Sequence, residues 1–99
     1  MIKYLEKNFD EEIKNKKILV DFYANWCGPC KMLGEVFEEV ENKIDIDILK
    51  IDVDAFPEIA SRYNVFSIPT LYLIENSNII KSHVGYLNPK ELLSFINDK

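Results

Sequence analysis

Apolar positions follow two different periods along this chain, and the points where the period changes outline its elements. Ile2 to Leu5 predicts a short edge strand, and Asn8 is placed to N-cap a short helix carrying Phe9, Glu12 and Ile13. Ile18-Leu19-Val20-Asp21-Phe22-Tyr23-Ala24 is an almost unbroken apolar run. Such runs suit a parallel strand covered on both faces. From Pro29 the apolar residues fall at helical spacing: Met32, Leu33, Val36, Phe37 and Val40. Pro29 itself fits a first helical turn, where its missing N–H costs nothing. Ile46 to Val53 predicts a second long strand closed by Asp54, and a helix follows over 57–63. Asn64, tolerant of positive φ, is the expected stop. Thr70 to Ile74 and Ile79 to Val84 form a hairpin around Asn76-Ser77-Asn78. Asn88-Pro89 opens a last helix with Leu92, Leu93, Phe95 and Ile96 toward the core. The order β-α-β-α-β-α-β-β-α predicts an α/β fold. It has one mixed five-stranded sheet, an initial βαβ run, a terminal antiparallel hairpin, and four helices shared between both faces.

No linker, repeat or low-complexity tract divides the 99 residues, so residues 1–99 are expected to form one domain. Apolar residues at 47% supply a core without metal or disulfide staples. Seventeen acidic residues against 12 basic ones, a net charge of −5, argue against nucleic acid as a partner. No apolar stretch approaches the roughly 18 residues of a membrane span. Lys3, Glu6, Lys7 and Asp10 break any secretory leader, so a cytoplasmic chain is expected. Two cysteines and one histidine cannot supply a Cys₄ or Cys₂His₂ zinc site, and no metal is expected.

The chemistry concentrates at Trp26-Cys27-Gly28-Pro29-Cys30, between the buried strand and the helix. Cys27 falls just before the helix, where free N–H groups and the positive end of the dipole stabilise an anion. Thiolate is the reactive form of cysteine, so this position activates Cys27, expected to be the exposed, low-pKa thiol, with Cys30 as the buried one. Lys31 stands where a c-type haem site would need histidine. A purely structural disulfide is out of place in a cytosolic chain, so the pair is read as a redox centre. Asp21 interrupts the apolar strand six residues before Cys27. Burial disfavours its charged form, which raises its pKa and makes it a candidate for proton transfer. Lys50, on the neighbouring strand, would by itself be an ordinary solvated residue. Trp26 and Val84 fit a core as readily as an interface, and His83 is expected to be a half-exposed strand residue.

Taken together, Val20 to Ala24, Trp26 to Lys31, Ile68-Pro69-Thr70 and Val84-Gly85 resemble the thioredoxins, over essentially the whole chain. The resemblance implies a general protein-disulfide reductase. Cys27 would attack a protein disulfide, and Cys30 would resolve the mixed disulfide. The aspartate matching Asp21 helps deprotonate the second cysteine, and the lysine matching Lys50 lies near that carboxylate. The resemblance also implies a cis Ile68–Pro69 bond packed against the cysteines. Trp26, Gly28, Pro29, Ile68, Pro69, Val84 and Gly85 would then form a shallow apolar surface for a substrate peptide. No cofactor beyond the cysteine pair is implied. The implied partners are disulfide-containing proteins and a thioredoxin reductase that recycles a monomer.

The chain departs from the common family pattern at several positions. Glu35 stands where many members have a helix-kinking proline, and Ser77 where a hairpin glycine is usual. Tyr23 replaces a frequent tryptophan, and Asn64 and Ser67 replace glycines. With Glu35 supplying its N–H, the helix is expected to run through unbroken. Two other readings use the same residues: a binding subunit whose cysteines are dispensable, and a metal- or cluster-binding dimer built from two Cys-x-x-Cys pairs.

Overall fold

The Lys17–Tyr23 strand (β2) sits at the centre of the sheet, because both of its faces carry apolar side chains that need cover. Its neighbours follow from a computed structural model describing residues 1–98. Among the described residues the sheet runs β1 (Ile2–Tyr4), β3 (Asp47–Asp52), β2, β4 (Thr70–Glu75) and β5 (Asn78–Val84). β1, β3 and β2 are parallel, whereas β4 and β5 run antiparallel to their neighbours. The helices are α1 (Phe9–Glu12), α2 (Gly28–Val40), α3 (Pro57–Arg62) and α4 (Pro89–Asn97), with a 3₁₀ turn at Glu41–Lys43. The mixed α/β architecture is the expected one. No helix among the described residues is long and apolar enough to cross a membrane.

Alternation along β2 divides the core in two. Leu19 points to the layer of α2 and α4, among Leu33, Phe37, Val40, Leu92 and Ile96. Ile18, Val20 and Phe22 point to the opposite layer, among Phe9, Ile13 and Ala60 from the α1 and α3 region. Each such side chain, fully buried, contributes about 1.5–3 kcal/mol. Truncating the fully buried Phe37 to alanine would cost about 3–5 kcal/mol and loosen α2 from the sheet.

Three details differ from the sequence reading. Asn8 makes no side-chain cap and instead turns the chain in the left-handed region, at φ 59°. The second long strand begins at Asp47 and ends at Asp52, with Ile46 and Val53 packing from outside it. In α4 only Leu92 and Ile96 are buried; Leu93 and Phe95 are half-buried. At 100° per residue, Leu93 and Phe95 each lie about 80° round the helix from the middle of the Leu92–Ile96 stripe, on its two flanks.

Other local signals hold. Asn64 adopts φ 56° just beyond α3 and ends it. Asn88 caps α4 in a capping box, accepting from the Glu91 N–H at 2.8 Å while Glu91 accepts from the Asn88 N–H at 3.0 Å. α2 is continuous through Glu35.

Candidate active site

The strand β2 ends at Tyr23, and the chain turns through Ala24 before α2 begins. The Cys27 N–H donates to the Ala24 carbonyl at 3.3 Å, and Cys27 becomes the N-cap residue of α2 in extended conformation. Its sulfur accepts from the Cys30 backbone N–H at 3.2 Å. The sequence thus puts a sulfur where helix caps normally put an oxygen. Pro29 occupies the first turn without losing a bond, and no acidic side chain stands in that turn to oppose a thiolate. Cys27 and Cys30 are joined in a disulfide, their Cα atoms 5.2 Å apart. Cys27 is 5% exposed and Cys30 2%. Cys27 is the more accessible of the two, but it is not the exposed thiol expected from the sequence: with the disulfide formed and Ile68 packed against the pair, both residues are buried. Helix-end electrostatics, more than access, therefore distinguishes them.

The Ile68–Pro69 peptide bond is cis. Ile68 packs on Ala24, Cys27 and Cys30, and its carbonyl oxygen lies 3.9 Å from the Cys27 sulfur. The Pro69 carbonyl accepts from the Gly85 N–H at 2.8 Å, and Thr70 pairs with Val84. These two links carry Val84 and Gly85 to the same edge as the cysteines. Gly85 has φ +107°, which a side chain would strain. Pro69 is buried, Ile68 and Gly85 are half-buried, and Gly28 and Pro29 are exposed. Trp26 is 71% exposed and Val84 60%, which decides for surface over core. His83 is half-buried on β5 against Phe95 and takes no part in the site.

One contributor to the site, and one exposed aromatic near it along the chain, went unnoticed in the sequence. Asp54, just past β3, accepts from the Trp26 indole N–H at 2.9 Å and fixes the exposed ring. Only its place at the strand's end, by the loop that meets Trp26, hinted at this. Phe66 is 91% exposed, two residues before Ile68. An aromatic with no periodic partner, set next to Ser67-Ile68-Pro69, was the available signal.

Asp21 is fully buried. By the alternation of β2 it shares the α2 face with Leu19, beneath the helix that carries Cys30. Neither carboxylate oxygen has a hydrogen-bond partner among the described residues. Burial pushes the carboxyl up to about 7, and the nearby Lys50 charge only partly offsets this. Asp21 pairs in register with Lys50 on β3. Lys50 in turn lines a cleft of about 120 Å³ together with Cys30, Ala24, Tyr23 and Tyr4. The buried acid is thus linked through its strand partner Lys50 to the cleft that Cys30 lines.

This fold and site define a protein that exchanges electrons by alternating between dithiol and disulfide. The family model for thioredoxin matches residues 1–98, and the chain belongs to the thioredoxin family. It is 45% identical over 101 residues to a thioredoxin of Staphylococcus haemolyticus, covering 100% of this chain and 96% of that one. Among solved structures, the reduced thioredoxin pre-protein of Schistosoma mansoni superposes with a TM-score of 0.84 at 35% identity, over 96% of this chain and 94% of that one. A chain from a study of thiol resolution in yeast mitochondrial 1-Cys peroxiredoxin through glutathione/thioredoxin systems gives a TM-score of 0.85 at 35% identity, over 99% and 95%.

Proposed function

We propose that this chain is a general protein-disulfide reductase whose Cys27 thiolate attacks and whose Cys30 resolves. The observation that carries this is the sulfur of Cys27 seated as the N-cap of α2 and bonded to Cys30. In the reduced protein the Cys30 N–H and the helix dipole hold Cys27 as a thiolate. Attack on a substrate disulfide forms a Cys27–substrate bond and expels the other substrate sulfur, which takes a proton from solvent. The Cys30 thiol then passes its proton to the Asp21 carboxylate and attacks the Cys27 sulfur. The second substrate sulfur leaves and is protonated. Two electrons have moved, the substrate holds two thiols, and Cys27–Cys30 is a disulfide.

The surface around the sulfurs supports a peptide occupant. Trp26, Gly28, Pro29, Ile68, Pro69, Val84 and Gly85 frame the pair, and an extended segment laid along the cis-proline edge would meet backbone as well as apolar side chains. The pair works with no further cofactor and no metal. A thioredoxin reductase restores the dithiol, the chain acts as a monomer, and its setting is the cytoplasm. The test is a trap with Cys30→Ser, which stops the cycle at the mixed disulfide. Disulfide-bonded proteins should then accumulate on Cys27 and be released by a reducing agent. A Cys30→Ser protein that captures nothing while Cys27→Ser captures would reverse the two roles.

A further inference from the structure

Tyr4, Lys50 and Asp21 stand in one row across three neighbouring strands. Tyr4 pairs with Lys50 between β1 and β3, and Lys50 pairs with Asp21 between β3 and β2. All three project to the face covered by α2. Lys50 makes no ion pair with any carboxylate among the described residues. Its ammonium lies instead over the rings of Tyr23 at 4.7 Å, Tyr4 at 5.3 Å and Phe37 at 6.0 Å. Tyr4 and Tyr23 meet edge to face, with centroids 6.2 Å apart. Gly34 of α2 closes the space from above, since a methyl group there would lie 3.4 Å from the Lys50 nitrogen.

A free lysine samples many rotamers, and its charge would spread over the cleft mouth. Ring faces carry negative potential and hold a cation without neutralising it. An aromatic cage therefore keeps the charge intact, whereas a carboxylate partner would cancel much of its field at Asp21. We propose that Tyr4 and Tyr23 are positioning residues for disulfide exchange: they hold the Lys50 ammonium at a fixed place facing Asp21, beside the cleft that opens on Cys30. This rests on the reading of Asp21 as the acceptor of the Cys30 proton. The other charged groups near the cage are Lys31, Glu35 and Glu38 of α2, Glu41 of the 3₁₀ turn, and Asp52, which adds to the rise in proton affinity that burial gives Tyr23. From β4 the partner of Asp21 is the apolar Leu71, with His83 beyond it on β5.

The cage makes Tyr4 unusual for its position. It is 59% exposed on a three-residue edge strand, where truncation does little to the core. Its substitution therefore reports on the charge rather than on folding. The experiment is a carbon-13 NMR titration of the Asp21 carboxyl in wild type, Lys50→Met, Tyr4→Leu, Tyr4→Phe and Tyr23→Phe. Lys50→Met should raise the Asp21 midpoint by about one pH unit, a tenfold gain in proton affinity. Tyr4→Leu should raise it by about half as much, while Tyr4→Phe and Tyr23→Phe, which keep the ring face, stay at the wild-type midpoint. A Tyr4→Leu midpoint equal to wild type, or a Lys50→Met midpoint that does not move, overturns the proposal. Failure of the underlying reading shows elsewhere, as a Cys30 resolving rate that Asp21→Asn leaves unchanged.

Discussion

Asp21 and Lys50 face each other on paired strands, yet the ammonium rests on the rings of Tyr4 and Tyr23 and forms no ion pair with the carboxylate. The carboxyl therefore keeps most of its burial penalty. A full ion pair would have driven its pKa down and removed it from proton transfer near neutrality. The incomplete compensation is what leaves Asp21 able to take a proton and give it back.

That penalty has a pH signature. Asp21 titrates at about 7 when folded, against 3.8 for the unperturbed group. Between these values the native state holds a proton that the unfolded chain has lost, so stability falls as pH rises through this window. Above 7 both states are ionised and the loss is complete, on the order of 4 kcal/mol. Asp21→Asn should match wild type in stability near pH 4 and exceed it by a few kcal/mol at pH 8, while slowing resolution by Cys30. Denaturant midpoints across pH check this. A stability difference that is the same at both ends would assign Asp21 a purely structural role.

Cys27 should react first. With both sulfurs sheltered, the distinguishing feature is the Cys30 N–H at 3.2 Å and the helix end behind it. One unit of thiol pKa is a tenfold difference in affinity for the proton. Alkylation of the reduced protein at pH 7, followed by peptide mapping, should label Cys27 about tenfold faster than Cys30. Equal labelling would mean that the cap interaction does not discriminate between the thiols.

The β4–β5 hairpin carries a removable cost. Asn76 and Ser77 both have positive φ, 51° and 69°, as a two-residue turn between right-twisted strands demands. Asparagine tolerates this; serine does so at about 1 kcal/mol. Ser77→Gly should stabilise the fold by about 0.5–1 kcal/mol, since glycine also loosens the unfolded chain, with reductase activity unchanged. Thermal unfolding measures it. An unchanged or lowered midpoint would show that the turn is set by its strands rather than by local preference.

The sequence revealed what depends on neighbours along the chain. The apolar run of β2, the switch of period at Pro29 and the paired cysteines at that switch place the site before any contact is known. Asn64 ends its helix by a local preference, and Glu35 leaves α2 unbroken by supplying an N–H. Asn8 misled because capping and left-handed turning draw on the same residue type, and the path from β1 to α1 selected the turn. The cis bond at Ile68–Pro69 was legible only through family resemblance. Two features needed the assembled fold: the Asp54 brace on Trp26, at which only the strand's end hinted, and the cage around Lys50. Each joins residues from distant segments, and only the strand order β1-β3-β2 brings Tyr4, Lys50 and Tyr23 together.

The central claim is that Cys27 and Cys30 reduce disulfides in other proteins, and its most direct test is the rate at which the chain reduces a disulfide-bonded protein with a thioredoxin reductase as electron source. Wild type should turn over many times. Cys27→Ser should fall to the background rate, and Cys30→Ser should stall after a single mixed disulfide. Wild-type turnover that survives Cys27→Ser, or no turnover by the native chain, would contradict the account.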